Sequence, residues 1–405
     1  MKTVMDNPTQ YLSDRIKNLA ESATIKMAEL SRELQAQGID VISLSLGEPD
    51  FATPDHIREA AKQAIDEGYN SYTPVPGYLD LRQAISNKFK RDNGLDYAPS
   101  QIVASTGAKQ SIANLILAMI NPGDEVILPS PYWVSYEAQI LLAEGKVVSV
   151  DATLENDFKI TADQLKAAIT DKTKLFLFSS PCNPTGAVYT EDELRALADV
   201  IAKHEGIYVV ADEIYEHINF TDAHASMGTF ENMKDRVITV NGLSKGFAMT
   251  GWRLGYIGAP TWIAKACSKM QGQFTSGTCC ITQRAAITAL TGDLDPTYKM
   301  RDAFLKRREL ILGLLNDMPG IKTNVPQGAF YVFPNASELI GKSNGETTIN
   351  NIDDFCMYLV NDAHVSVVPG SAFGNDNCFR ISYAASEEML TEAMRRIKAS
   401  ILKLS

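Results

Sequence analysis

The sequence predicts an α/β fold: a mostly parallel central sheet in a large domain, with a smaller α+β domain assembled from both ends of the chain. Three observations predict it. Short apolar runs alternate with helical stretches from residue 102 to about 258, the pattern of strands buried on both faces by helices. After about residue 290 the rhythm changes to longer helices separated by single β-like runs. The 405 residues exceed what one small core organises, which favours two associated domains. The expected division is an N-terminal arm over 1–14, a small domain over 15–46 and 291–405, and a large ligand-binding domain over 47–290.

Composition narrows the function classes. Hydrophobic residues at 45% and charged residues at 21% describe an ordinary globular protein. The formal net charge of −11 argues against unspecific nucleic-acid binding, which needs a basic face. No stretch has the pattern of a signal peptide or the length of a membrane span. The six cysteines show no CxxC pair and no metal-ligand spacing with the five histidines, so no metal is expected and a reduced, cytoplasmic compartment fits. Vicinal Cys279 and Cys280 read as structural rather than redox-active.

The elements follow in order. Residues 1–14 are a polar arm. A helical pattern runs from Arg15 to Gly38, clearest over Ile25 to Leu34. Val41 to Leu46 is β-like, and Gly47-Glu48-Pro49-Asp50 is a turn. Thr53 as N-cap and Pro54 at the first position open a helix that Gly68 ends. A second helix, about Leu79 to Arg91, buries Leu81, Ile85 and Phe89. Strands are expected at Ile102 to Ser105, Glu125 to Leu128, Lys146 to Val150, Lys174 to Ser179, Ile207 to Ala211, Val237 to Val240 and Leu254 to Ile257. Helices lie between them, for example Asp192 to His204. The C-terminal unit has a helix at Thr297 to Leu315, β-like Ala329 to Phe333, a helix at Ile352 to Asn361, β-like Val365 to Val368 and Phe379 to Tyr383, and a final helix. The N-terminal helix is expected to pack with this unit.

Ligands in open α/β sheets collect at the carboxyl ends of strands, and four candidates lie there. Lys245 sits between Ser244 and Gly246 with aliphatic surroundings, and Arg253 follows eight positions later. A desolvated lysine has a lowered pKa and is a nucleophile towards carbonyls, and an arginine beside it anchors a phosphate. That pair suits pyridoxal 5′-phosphate (PLP); a surface lysine in a glycine turn is the alternative. Gly107-Ala108-Lys109 leads from a strand into a helix, where free N–H groups would hold a phosphate, unless it is an ordinary βα turn. Asn183 opens Asn-Pro-Thr-Gly and could donate to a phenolate-like oxygen, or mark a generic turn. Asp212 ends an apolar strand, where a carboxylate needs a cation such as a protonated pyridine. Otherwise it is a helix N-cap with Glu213 as a first-turn acid, which leaves Tyr215 unexplained.

NPTG, DEIY, SKGFAMTGWRLGY and FRISYA, in this order, resemble the class I/II aminotransferases of PLP fold type I. LSLGEPDF, STGAKQ and SPYWVSY bring the likeness nearest to the bacterial aspartate aminotransferase branch, over nearly the whole chain. The resemblance implies PLP as cofactor, held covalently by the Lys245 amine, which later moves the substrate proton. It implies Asp212 on the pyridine nitrogen, Asn183 and Tyr215 on the ring oxygen, and Trp133 on the ring face. The backbone of Gly107, Ala108 and Lys109 and the Arg253 guanidinium would hold the phosphate. Tyr72 would reach the phosphate of a neighbouring subunit, making a homodimer with shared sites. Arg380, otherwise an alternating-strand arginine of surface type, would grip the substrate α-carboxylate, with Gly47 and Asn183 beside it. Some relatives have a serine three positions before the lysine; here it is Gly242, which shifts phosphate binding towards Arg253 and the backbone.

The implied substrates are amino acids and 2-oxo acids. Lys109 with Ser22 and Thr24 favours a second carboxylate, hence aspartate and 2-oxoglutarate in a ping-pong exchange. Aromatic substrates, prephenate, or carbon–sulfur β-lysis on the same fold are the alternatives. Relatives acting on prephenate carry a lysine two positions before that serine, where this chain has Ala20.

Overall fold

The computed structural model describes residues 8–405; residues 1–7 of the expected arm lie outside the described residues. A seven-stranded sheet runs in the spatial order Ile102–Ser105, Gly255–Gly258, Val237–Gly242, Tyr208–Asp212, Thr173–Ser179, Glu125–Ser130, Lys146–Asp151. Every neighbouring pair is parallel except the two made by Gly255–Gly258, which runs antiparallel to both its neighbours.

Alternation along the strands buries both faces. Val126, Leu128, Leu175, Leu177 and Val210 meet the helices Ala108–Met119 and Thr261–Phe274 through Ile112, Leu115, Ile116 and Ile263. Ile127, Phe176, Phe178, Val209 and Ala211 point the other way, onto Leu194, Leu197 and Ile201 of the helix Glu191–Ile201. A third cluster packs the helices Asp55–Asp66, Leu79–Lys88 and Cys280–Thr291 over Ile102, Ala104 and Tyr256.

The two chain ends meet. Ile42–Ser43 pairs in parallel with Val365–Ser366, and the helix Ala23–Ala36 lies against that pair. Tyr331–Val332, Phe379–Ser382 and Val368–Pro369 form a second small sheet. The helices Asp295–Asn316 and Glu387–Ile401 cover them through Phe304, Ile311, Leu390 and Ile397.

Several elements differ from expectation. The pattern over Arg15 to Gly38 is two helices, Asp14–Lys17 and Ala23–Ala36, parted at residues 18–22. Thr53 does not cap the helix Asp55–Asp66; its hydroxyl donates to the Ala248 carbonyl at 2.7 Å, and Pro54 takes the N-cap place. Val365 to Val368 is two strands serving two sheets. The run Ala329 to Phe333 shortens to Tyr331–Val332, with Ala329 at φ +57°. Among the described residues no helix is long and apolar enough to cross a membrane.

Candidate active site

The sheet order explains why distant sequence positions converge. The parallel strands end at one edge, which delivers in succession Gly107, Lys245, Asp212, Asn183 and Trp133 at or just past strand termini. The antiparallel strand begins at that same edge, so Arg253, two residues before Gly255, lies between the Gly107 turn and Lys245. This crowding demands glycine. A Cβ on Gly255 would overlap Ala108 N, and one on Gly107 (φ +84°) would overlap the Arg253 guanidinium. At Gly242 a Cβ would lie 2.9 Å from Gly255 Cα, so a serine there would force the two strands apart.

A cavity of about 270 Å³ opens at this edge. Of the residues expected in a site, Ser22, Thr24, Gly47, Ala108, Lys109, Trp133, Asn183, Asp212, Tyr215, Lys245, Arg253 and Arg380 line it, and Gly107 backs it through Arg253. Tyr72 is not brought in: it stands 97% exposed on the surface. The break at residues 18–22 has its reason here. Ser22 occupies the N-cap position of the following helix without making a capping bond, and lines the cavity together with Thr24.

Charge characterises the cavity. Four cations line it, Lys109, Lys245, Arg253 and Arg380, against two carboxylates, Glu48 and Asp212, in a chain of net charge −11. Arg380 is 1% exposed, not the surface residue its alternating strand suggested. Its guanidinium donates only to neutral oxygens, Asn183 Oδ1 at 3.0 Å and the Ser45 carbonyl, and its Nε has no partner among the described residues. Burial pushes its pKa down. A buried cation bonded only to neutral groups calls for an anion from outside. The bond from Arg380 also fixes the Asn183 amide, oxygen towards the guanidinium and NH₂ away from it.

Lys245 donates to the Gly47 carbonyl and lies 5.8 Å from the ring centroids of Tyr215 and Phe330. Burial pushes its pKa down to about 8; Glu48 opposes this, and Arg380 and Arg253 assist it. Asp212 is buried and accepts from Tyr136 Oη at 2.6 Å and from Ile214 N at 3.2 Å. Burial raises its pKa to about 6. No helix follows it, so it is not the alternative N-cap, and Glu213 is not a first-turn acid. Glu213 is buried, accepting from Ser226 Oγ at 2.8 Å and Asn93 Nδ2 at 3.0 Å. Glu213, Glu216 and His224 lie close enough to chelate, but the Lys88 ammonium already pairs with Glu216. Tyr215 bonds Tyr331 hydroxyl to hydroxyl at 2.7 Å. Lys109 lies over the Trp133 ring at 5.0 Å, and partial burial together with the Arg253 charge pushes its pKa down. Tyr136, Tyr331, Ser244 and Glu48 line the cavity without having been singled out as site residues.

The ligand-free chain therefore holds two charges against its own interest. Lys245 titrates near 8 folded and near 10.5 free, so its ammonium costs stability below pH 8, and stability rises from pH 8 to 10.5. Asp212 titrates near 6 folded and near 3.8 free, so its contribution falls as pH rises from 3.8 to 6. At pH 7 each penalty is on the order of 3 kcal/mol. Ligand-free Lys245→Met should thus melt above the wild type at pH 7, with the gap closing towards pH 10.5. Equal melting temperatures at pH 7 would contradict this.

The model of the family described as aminotransferase class I and II matches residues 39–397. The chain belongs to this family. As a class I/II aminotransferase it resembles the aspartate/prephenate aminotransferase of Cereibacter sphaeroides, 46% identical over 98% of this chain and 100% of that one. It also resembles the aspartate aminotransferase of Bacillus sp. (strain YM-2), 45% identical over 96% and 98%. The solved aspartate aminotransferase of Rhizobium meliloti superposes with a TM-score of 0.94 at 42% identity, covering 97% of this chain and 99% of that one. The Thermus thermophilus enzyme solved with maleate gives 0.90 at 39%, covering 96% and 99%. The aminotransferase fold is the expected α/β fold with its mostly parallel sheet.

Proposed function

We propose that this aminotransferase uses PLP to move the amino group of L-aspartate to 2-oxoglutarate, giving oxaloacetate and L-glutamate. The observation that carries the reading is the buried Arg380, bonded to neutral oxygens alone, in a cavity that also holds Lys109, Ser22 and Thr24. One guanidinium suits the α-carboxylate that all amino-acid substrates share. A second cation with two hydroxyls suits a second carboxylate. The names of the relatives and the maleate in the Thermus structure point the same way.

The residues present fit PLP. The Gly107–Lys109 turn and Arg253 offer N–H groups and a cation to its phosphate. Asp212, desolvated and held by Tyr136, would pair with a protonated ring nitrogen. The Asn183 NH₂ and the Tyr215 hydroxyl would donate to the ring oxygen, and Trp133 would cover the ring face. When bound, PLP supplies an aldehyde carbon for amines and a ring that withdraws electrons from the carbon attached to them. Lys245, with its pKa near 8, keeps a useful fraction of neutral amine at neutral pH, both as nucleophile and as the base that moves the α-proton. Arg380 and Lys109 would anchor the two ends of the substrate and so orient it in the cavity that Lys245 also lines.

We read residues 15–46 and 291–405 as one small domain beside a large one at 47–290, in a cytoplasmic homodimer. The exposed Tyr72 would reach a neighbouring subunit's phosphate. Prephenate is a second reading, favoured by the name of the Cereibacter relative and opposed by Ala20. A coupled assay of purified protein with aspartate and 2-oxoglutarate, set against prephenate, phenylalanine and cystathionine, tests the proposal. Lys109→Ser should raise KM for aspartate about tenfold and leave phenylalanine nearly unchanged. Equal effects on both substrates would remove Lys109 from the side-chain pocket.

A further inference from the structure

We propose that Tyr331 is a positioning residue whose hydroxyl donates to Tyr215, so that the Tyr215 proton is left free to point into the cavity. This rests on the reading of Tyr215 as a donor to the cofactor ring oxygen.

Three parts of the site meet on this one phenol. Tyr331 is fully buried and lines the cavity from the short strand Tyr331–Val332, paired with Ser382 and Ile381 beside Arg380. Its ring centroid is 4.6 Å from the Arg380 guanidinium carbon. Its hydroxyl is 2.7 Å from that of Tyr215, with the two rings edge-on at 5.8 Å. A Cβ on Gly47 would overlap the same hydroxyl, so Tyr331 also sets how near the Gly47 backbone comes.

The two phenols share one hydrogen bond and have one proton each, so one of them must donate. If Tyr215 donates to Tyr331, its proton is spent inside the protein, and only its lone pairs face a ligand. An anionic ring oxygen would then meet an acceptor and be repelled. If Tyr331 donates, Tyr215 accepts from behind and donates forward. Arg380 decides between the two arrangements. Its charge lies against the Tyr331 ring and favours withdrawal of the proton from that oxygen, which makes Tyr331 the better donor. The chain of donors then runs from Tyr331 through Tyr215 to the ligand, each bond strengthening the next. Tyr331 would not touch the reacting atoms; it would act through Tyr215.

The test removes single oxygen atoms and keeps both rings. Tyr331→Phe, Tyr215→Phe and the double variant are compared by the pH midpoint of the bound cofactor's absorbance change and by the dissociation constant of PLP from the ligand-stripped protein. Melting temperatures serve as a control. Tyr331→Phe is expected to move the midpoint in the same direction as Tyr215→Phe but by less, about 0.3 of a pH unit, the size for losing the strengthening that one hydrogen bond gives the next; a shift in the opposite direction would mean that Tyr215 had been donating to Tyr331 and would overturn the proposal. In the Tyr215→Phe background it is expected to add nothing. No shift from Tyr331→Phe, or shifts that add in the double variant, would overturn the proposal and leave the role of Tyr215 standing. If Tyr215→Phe itself leaves the midpoint unmoved, the reading of Tyr215 is wrong and the proposal falls with it.

Discussion

Lys245→Ala should abolish transamination, with a loss of about four orders of magnitude or more in kcat, while the protein stays folded. The size follows from two roles resting on one amine. In the proposed reaction Lys245 would be the nucleophile towards the carbonyl of the cofactor and also the base that moves the substrate proton. Asp212 is fully desolvated and Tyr136 holds its carboxylate, and the pairing proposed for it lies on the far side of the ring. Asp212 therefore cannot take the proton-transfer role over. The substitution removes an ammonium that burial already disfavours, so the ligand-free variant should melt no lower than the wild type. That separates this prediction from a folding defect. Activity is read in the aspartate assay, and the absorbance of covalently held cofactor should vanish with it. A variant that turns over near the wild-type rate would remove Lys245 from the chemistry.

Much of this was legible in the sequence because strand ends are legible. An apolar run that stops at Asp212, or gives way to Ser244-Lys245-Gly246, marks a carboxyl edge, and polar residues there must serve a ligand or each other. What escaped notice was the support behind those residues. Tyr136 and Tyr331 sit in apolar stretches where an aromatic residue reads as core, and their hydroxyl bonds to Asp212 and Tyr215 cross 76 and 116 positions of chain. The two-residue strands Ile42–Ser43 and Val365–Ser366 are too short to show a period, so only their pairing identifies them. Arg380 reads as exposed because strand alternation tells which residues share a face, not that this face is buried against Asn183, 197 positions away. Lys88 was invisible for the same kind of reason: on its helix it reads as a solvated lysine, and its partner lies 128 positions away.

Lys88→Met should be strongly destabilising although it lies outside the cavity, costing about 3–5 kcal/mol and lowering the melting temperature by roughly 4–6 °C. The turn 212–216 has two faces. Asp212 and Tyr215 look into the cavity; Glu213 and Glu216 look away, into a buried polar cluster. There Lys88, 1% exposed, pairs with Glu216 and donates to Asn93 Oδ1 at 2.7 Å. Asn93 donates to both glutamates, at 3.0 and 2.7 Å, and His224 Nε2 lies 2.9 Å from Glu213. Burial alone would raise the Glu216 carboxyl, but Lys88, His217 and His224 outweigh it and bring the pKa to about 2. A methionine would remove the one amine and leave two buried carboxylates without it. The double variant Lys88→Met/Glu216→Leu should recover a large part of the loss, since a buried pair replaced by apolar groups of similar size is far less costly than a broken one. Acid supplies an independent check. Glu216 titrates near 2 folded and near 4.5 free, so its contribution is complete above pH 4.5 and fades as pH falls towards 2. The gap in melting temperature between wild type and Lys88→Met should therefore narrow below pH 4.5, and a gap that stays constant to pH 3 would show that the ion pair is not what Lys88 contributes.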